Sequence, residues 1–432
     1  MMTRLLVVLV SGLCGLSTDT THAADYDYPI DNPLAATVVG TPPDQRASLT
    51  LPSSLEERRM VVFADRDVPD VFWYADELRY LVALQDHPAP LVFVISGTGA
   101  DHKTPSAVAL ASALFARGSH VVTLPSPTQI NFIVSAAKHS RPGFTDDDVG
   151  DLLRVMTRIR DEFIGEGVEI DGYGITGYSM GAFHAAVVAE RDARQGDFSF
   201  DHVVMINPPI SLYESALRLD AMLLEGIPGG LVHFDKFYED FMNDLARLYV
   251  RDEGLEFAGD FLYRIYEDVG GDVDDNRLKA LIGLSFRLMG SNLVFASDVM
   301  NHAGYIVPSD LELGITSSLS NYFKVAGRLN FAKYIDELFF PLFDADYPGS
   351  SRDNVVEQSS LRAIEDFLRG NPNVYVLHNR DDIILGKDDI TWFENVFKDR
   401  AHIFANGGHL GNIYHRAFIE IFQEQFANGS GR

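Results

Sequence analysis

The strongest constraint on this chain is its alternation of short apolar runs with stretches of helical spacing. Met60 to Phe63, Leu78 to Leu84, Leu91 to Ile95, His120 to Leu124, Tyr173 to Thr176 and His202 to Ile206 predict buried strands bounded by turn residues. Between them, Ser106 to Arg117 and Gly181 to Arg194 read as helices. A further helix opens at Thr145, expected as its cap, with Asp146, Asp147 and Asp148 opposing the positive end of the helix dipole. Its residues Val149, Leu152, Leu153, Met156, Ile159 and Phe163 fall on one face. Strand and helix alternating in this way predict an α/β fold with a mostly parallel sheet covered on both faces.

The pattern is interrupted once. Roughly 160 residues separate Pro209 from the next convincing strand, Val374 to Leu377, whereas a parallel crossover needs only about a dozen. The intervening segment is helical in pattern, with one stripe at Phe234, Phe237, Tyr238, Phe241, Leu245, Leu248 and Tyr249. A second runs through Phe331, Tyr334, Ile335, Leu338 and Phe339. Helix packing accounts for most such aromatics, and substrate contact for fewer. The expected organisation is a signal over residues 1–24 and an extended, Pro- and Asp-rich lead-in over 25–57. A first core part follows over 58–210, a helical insertion over 211–345 and a second core part over 346–432.

Arg4, the apolar run Leu5 to Val10 and the small residues at Ala23-Ala24 predict a secretory signal that is removed on export to the periplasm or medium. The single cysteine, Cys14, lies inside it, so the mature chain is expected to have no disulfide, thiolate-bound metal or cysteine nucleophile. No later apolar stretch reads as long enough to span a bilayer, so no stable membrane insertion is expected. A net charge of −27 over 432 residues repels phosphate backbones, which argues against a nucleic-acid partner. No cofactor or metal is expected. Asp272, Asp274, Asp275 and Asn276 imitate a calcium loop, but Arg277 stands where its glycine belongs. Asp344, Asp346 and Asp353 are a weaker cation candidate, and His184 reads as an ordinary helix residue.

Gly177-Tyr178-Ser179-Met180-Gly181 lies between a predicted strand and a predicted helix. In that setting a serine occupies a strained turn, and small residues two positions to either side let its hydroxyl project into a cleft. Over residues 58–209 and 372–428 the chain resembles the α/β-hydrolase superfamily. The resemblance implies Ser179 as nucleophile, an acid after a late strand and a histidine in the last loop. Val374-Tyr375-Val376-Leu377-His378-Asn379-Arg380-Asp381-Asp382 is similar to that strand and turn and selects Asp382, with Asp381 the alternative. Of the later histidines, His402 lies in a strand, His415 within a closing helix Ile413 to Phe426, and His409 in the glycine-rich loop Asn406 to Gly411, so His409 is the expected base. The amide of Met180 is one expected oxyanion donor. The other comes from Ser96-Gly97-Thr98-Gly99, where Thr98 is favoured over Gly99 and Ser96 departs from the family's usual histidine.

The resemblance implies hydrolysis of a small or polymeric carboxylic ester through an acyl-serine intermediate, beneath a cap formed by the insertion. An aromatic-rich cap favours acyl, aromatic or polyester substrates. Amidase, peptidase or acyltransferase chemistry with the same residues is the alternative, as is a binding protein on the same fold. The oligomeric state is not legible in the sequence.

Overall fold

The computed structural model describes residues 26–426 apart from 228, 238, 240–265 and 267–272. Eight strands form one sheet in the order β1-β2-β4-β3-β5-β6-β7-β8. They are β1 (Glu56–Met60), β2 (Leu78–Ala83), β3 (Ala89–Ile95), β4 (His120–Leu124), β5 (Ile170–Tyr178), β6 (His202–Ile206), β7 (Val374–Asn379) and β8 (Ala401–Phe404). Strand β2 runs antiparallel to both β1 and β4, and every pairing from β4 through β3, β5, β6 and β7 to β8 is parallel.

The parallel strands read as continuous apolar runs because both faces are covered. Along β3, Leu91, Phe93 and Ile95 face α4 (Thr145–Gly165) and α5 (Met180–Gln195), in one cluster with Val149, Met156, Ile159 and Phe183. Val92 and Val94 face the other side, packing with Leu110 and Leu114 of α2 (Pro105–Phe115) and with Phe418 and Phe422 of the closing helix Arg416–Glu424. The expected sheet with helices on both faces is therefore present.

Four local expectations change. Strand β1 lies at Glu56–Met60, upstream of the apolar Met60 to Phe63, and its sequence EERRM is mostly exposed. An edge strand has one neighbour and needs no apolar face, so hydrophobic periodicity does not find it. Thr145 does not cap α4: Phe144 holds the cap position and the Thr145 hydroxyl is buried with no hydrogen-bond partner among the described residues. Asp148 instead accepts the amide of Gly143 at 3.1 Å. His415 caps the closing helix rather than lying within it, accepting the Ala417 amide at 3.3 Å, and its Nε2 lies 3.1 Å from Asp27.

The fourth change is the lead-in. Residues 33–39 form α1 (Pro33–Val39), started by a proline and capped by Asn32, whose side chain accepts from the amides of Leu34 and Ala35. Tyr28, Ile30, Leu34, Ala36 and Val39 are buried against Leu278 and Ile282. The segment was expected to be extended, but it is a packed element that sits beside the last loop.

The insertion leaves the sheet after β6. Among the described residues its longest helices are α6 (Leu212–Gly226) and α7 (Asp275–Met300), which cross closely. A Cβ on Gly226 would meet Asn276 O at 2.4 Å, and one on Gly283 would meet Leu223 N at 2.4 Å, so bare backbone at both points sets the separation. By length and composition α7 could cross a membrane, at a hydropathy of 1.3, which corrects the expectation that no later stretch could. Here it packs against α6, α1 and α3 (Ile130–Ser135). Tyr334, Ile335, Leu338 and Phe339 of the second stripe are buried with Leu293 and Val294 of α7. Phe234 and Phe237 of the first stripe pack on Leu223, Ile227 and Leu284, while its members at 238, 241, 245, 248 and 249 lie outside the described residues, as does the signal at 1–24.

Candidate active site

Strand β5 ends at Tyr178 and α5 begins at Met180, leaving Ser179 alone in the turn with φ 55° and ψ −126°. That strain is tolerated because both flanking glycines are in backbone contact: a Cβ on Gly177 would lie 2.4 Å from the Gly181 backbone, and one on Gly181 would lie 2.1 Å from Ile95 O. The Ser179 amide donates to Ile206 O at 2.9 Å, fixing the turn to β6.

His409 Nε2 lies 2.9 Å from Ser179 Oγ. On its other side, His409 Nδ1 lies 3.0 and 3.1 Å from the two oxygens of Asp382. Asp382 is buried after β7, where Asn207 Nδ2 donates to Oδ2 at 2.8 Å and the Ile384 amide to Oδ1 at 3.1 Å. Burial alone would raise its pKa, but the charge and hydrogen bond of His409, with His378 and the Ile384 amide, outweigh it and hold Asp382 below the usual carboxylate value.

Asp381 does different work. Its carboxylate accepts the amides of Gly407 and Gly408 at 3.2 and 2.9 Å, anchoring the loop that carries His409. Asn379 and Asn412 exchange side-chain hydrogen bonds of 2.8 and 2.7 Å, tying the same loop to β7. From the lead-in, Thr37 Oγ1 accepts the His409 amide at 2.8 Å. His402 stays on β8 with its ring 4.5 Å from that of Phe404.

Thr98 and Met180 line one cavity with Ser179. The Gly99 amide is engaged, donating to Thr128 Oγ1 at 2.8 Å. Gly97 lets this turn approach, since a Cβ there would lie 3.0 Å from the Tyr178 ring. The cavity holds about 1140 Å³ of empty space, counting its mouth. Much of its wall comes from the insertion, including Leu219, Met289, Gly290, Leu293, Phe331 and Ile335, and it continues past residue 345 to Val355 and Ser359.

Asn207, Thr37, Asp148 and the pair Asp220–Arg287 were not anticipated from sequence. Asn207 had one signal, a polar residue closing a buried strand. Asp148 lines the cavity, and its burial pushes its pKa well above the usual value. The neighbouring His184 is fully buried, which lowers it to about 3 and keeps it neutral. Among the described residues no three His, Cys, Asp or Glu gather as metal ligands. Asp346 instead lies 2.7 Å from Arg141 and 3.0 Å from His139, and Asp274 caps α7.

The eight-stranded, mostly parallel sheet is that of an α/β fold, and it brings together Ser179 after β5, Asp382 after β7 and His409 after β8. No protein-family model and no curated protein sequence matches the chain. Among solved structures it is similar to an esterase, Est1E from Butyrivibrio proteoclasticus, at 12% identity and a TM-score of 0.35, covering 81% of this chain and 95% of that one. It is also similar to a bacterial membrane phospholipase A (16%, TM-score 0.42, 88% of each chain). A third similarity is to an esterase from Rhizomucor miehei (11%, TM-score 0.44, 93% of this chain and 98% of that one).

Proposed function

We propose that this chain is a serine hydrolase of carboxylic esters. The observation that carries the reading is the unbroken chain of contacts from Ser179 Oγ to His409 Nε2, and from His409 Nδ1 to the Asp382 carboxylate. A serine hydroxyl is a weak nucleophile at neutral pH, so His409 takes its proton as Oγ bonds to the ester carbon. The negative oxygen that develops is met by the amides of Met180 and Thr98. His409 then returns the proton to the departing alcohol, leaving an acyl-serine. Water, deprotonated by His409, attacks the acyl carbon and releases the carboxylic acid. Asp382, held ionised, keeps the imidazole in the tautomer that presents an acceptor to Ser179.

The inserted helices act as a cap that shapes the acyl pocket, and the apolar wall suits an acyl or aryl group. The protein works after export, on the strength of Arg4, Leu5 to Val10 and Ala23-Ala24. A purified mature chain should hydrolyse p-nitrophenyl esters across several acyl lengths, and the matched anilides far more slowly. Ser179→Ala should lose on the order of a million-fold in turnover. Turnover that survives in the alanine variant, or faster cleavage of anilides, would overturn the reading. An amino terminus that still begins at Met1 in the extracytoplasmic fraction would contradict cleavage of the signal.

A further inference from the structure

Three carboxyl or guanidinium side chains interrupt the otherwise largely apolar cavity wall: Asp148, Asp220 and Arg287. Arg287, on α7, and Asp220, on α6, are both buried. Arg287 Nε and Nη2 lie 3.0 and 2.7 Å from Asp220 Oδ1. The other carboxylate oxygen, Oδ2, accepts the Phe331 amide at 2.6 Å. Both acid oxygens are thus engaged, and one edge of the guanidinium is satisfied. The remaining nitrogen, Nη1, is buried with no acceptor among the described residues.

A buried donor without an acceptor is costly, and more so on a charged group, so native structures rarely leave one unmet. The Arg287 charge is already balanced by Asp220. What Nη1 lacks is a hydrogen-bond acceptor, not a counter-ion. A second carboxylate would leave the buried group with excess negative charge, which a largely apolar cavity penalises. Burial pushes the Asp148 carboxyl toward its protonated form.

Resting on the ester-hydrolase reading, we propose that the acyl portion of the preferred substrate carries a second, uncharged oxygen acceptor that hydrogen-bonds Arg287 Nη1. A ketone, a hydroxyl or a further ester along the acyl chain would meet that requirement. Arg287 is then a specificity-determining residue, bonded to Asp220 rather than to Ser179, His409 or Asp382. The same helix carries Met289, which packs against the Thr98 turn: a Cβ on Gly99 would lie 2.9 Å from Met289 Cβ. The selecting residue and the oxyanion turn are therefore joined by a single rigid element.

The test compares p-nitrophenyl octanoate with a series in which one ketone is walked along the chain, plus a chain ending in a carboxylate, each rate corrected for spontaneous hydrolysis. One or more ketone positions should exceed plain octanoate in kcat/KM by about 10- to 100-fold, the size expected of a hydrogen bond to a charged group. Arg287→Lys keeps a cation against Asp220 but loses the fork, and should bring that ratio close to one. The pair replacement Arg287→Met with Asp220→Leu leaves no charge unpaired and should do the same, so the ratio can be read if either variant folds. A preference surviving in a folded variant overturns the proposal. So does plain octanoate matching every ketone, which would mean that water satisfies Nη1, or preference for the carboxylate-tipped chain, which would mean that the site seeks a counter-charge. If plain octanoate is not hydrolysed and Ser179 takes no fluorophosphonate, the ester-hydrolase reading itself has failed.

Discussion

Adjacent carboxylates after β7 show how far one residue changes a role. Asp382 faces His409 and Asn207, whereas Asp381 faces the amides of Gly407 and Gly408. Asp382→Asn should lower kcat by about 10⁴-fold, because the imidazole would be held in the wrong tautomer. Asp381→Asn keeps one acceptor oxygen and should act mainly on loop order, with a much smaller loss of rate; equal losses in the two variants would contradict this division. Asn207 is buried and holds a positive φ of 45°, which asparagine tolerates better than most residues. Asn207→Ala should cost about 1–3 kcal/mol in denaturant unfolding, since it strips a donor from a buried carboxylate. Ser179, His409 and Asp382 were legible in the sequence because each sits in a short pattern of its own: a G-x-S-x-G turn, a glycine loop and a strand-turn-acid run. Arg287 and Asp220 were not, because their pairing exists only where α6 and α7 cross, 67 residues apart in the chain. Thr37 and His409 are separated by 372.

At the scale of elements, the sheet was legible wherever strands are buried on both faces, and not at β1, whose edge position removes the apolar signal. The lead-in was misread although Asn32-Pro33 is a helix start. Its Pro and Asp content suggests a loose segment, and the residues that bury α1 lie far along the chain, among them Leu278 and Ile282 of α7 and Leu219 and Met222 of α6. Its consequence is functional, since α1 presents Thr37 to the His409 loop. Thr37→Val should weaken turnover by several-fold with unfolding little changed; an unaltered kcat would show that the loop holds itself. In α7, Gly290 lines the cavity, and a Cβ there would meet no atom within 4 Å. Glycine in a helix interior costs up to about 1 kcal/mol relative to alanine, so Gly290→Ala should be slightly stabilising. Gly290→Leu should fill cavity space and shift kcat/KM toward short acyl esters by tenfold or more. Unchanged chain-length selectivity in a folded leucine variant would place the acyl group elsewhere.

Over the whole molecule, two buried carboxyls oppose each other in pH dependence. Asp382 is held below its ordinary value, so its contribution to stability is present above about pH 4 and is lost as pH falls through its folded value. Asp148 is pushed up by burial, so its contribution is fully present below about pH 4 and is lost as pH rises toward its folded value. That loss amounts to at most about 1.4 kcal/mol per pH unit. Asp148→Asn keeps an acceptor for the Gly143 amide but removes the proton equilibrium. Its Tm should therefore gain on wild type progressively as pH rises above about 4, and parallel melting curves would refute the assignment. The central claim, that the fold delivers one activated serine to this cavity, is tested most directly by locating a fluorophosphonate label by mass spectrometry. The expected result is one label, on the peptide containing Ser179, with labelling slowed by orders of magnitude in His409→Ala; label on another serine, or undiminished labelling without His409, would contradict it.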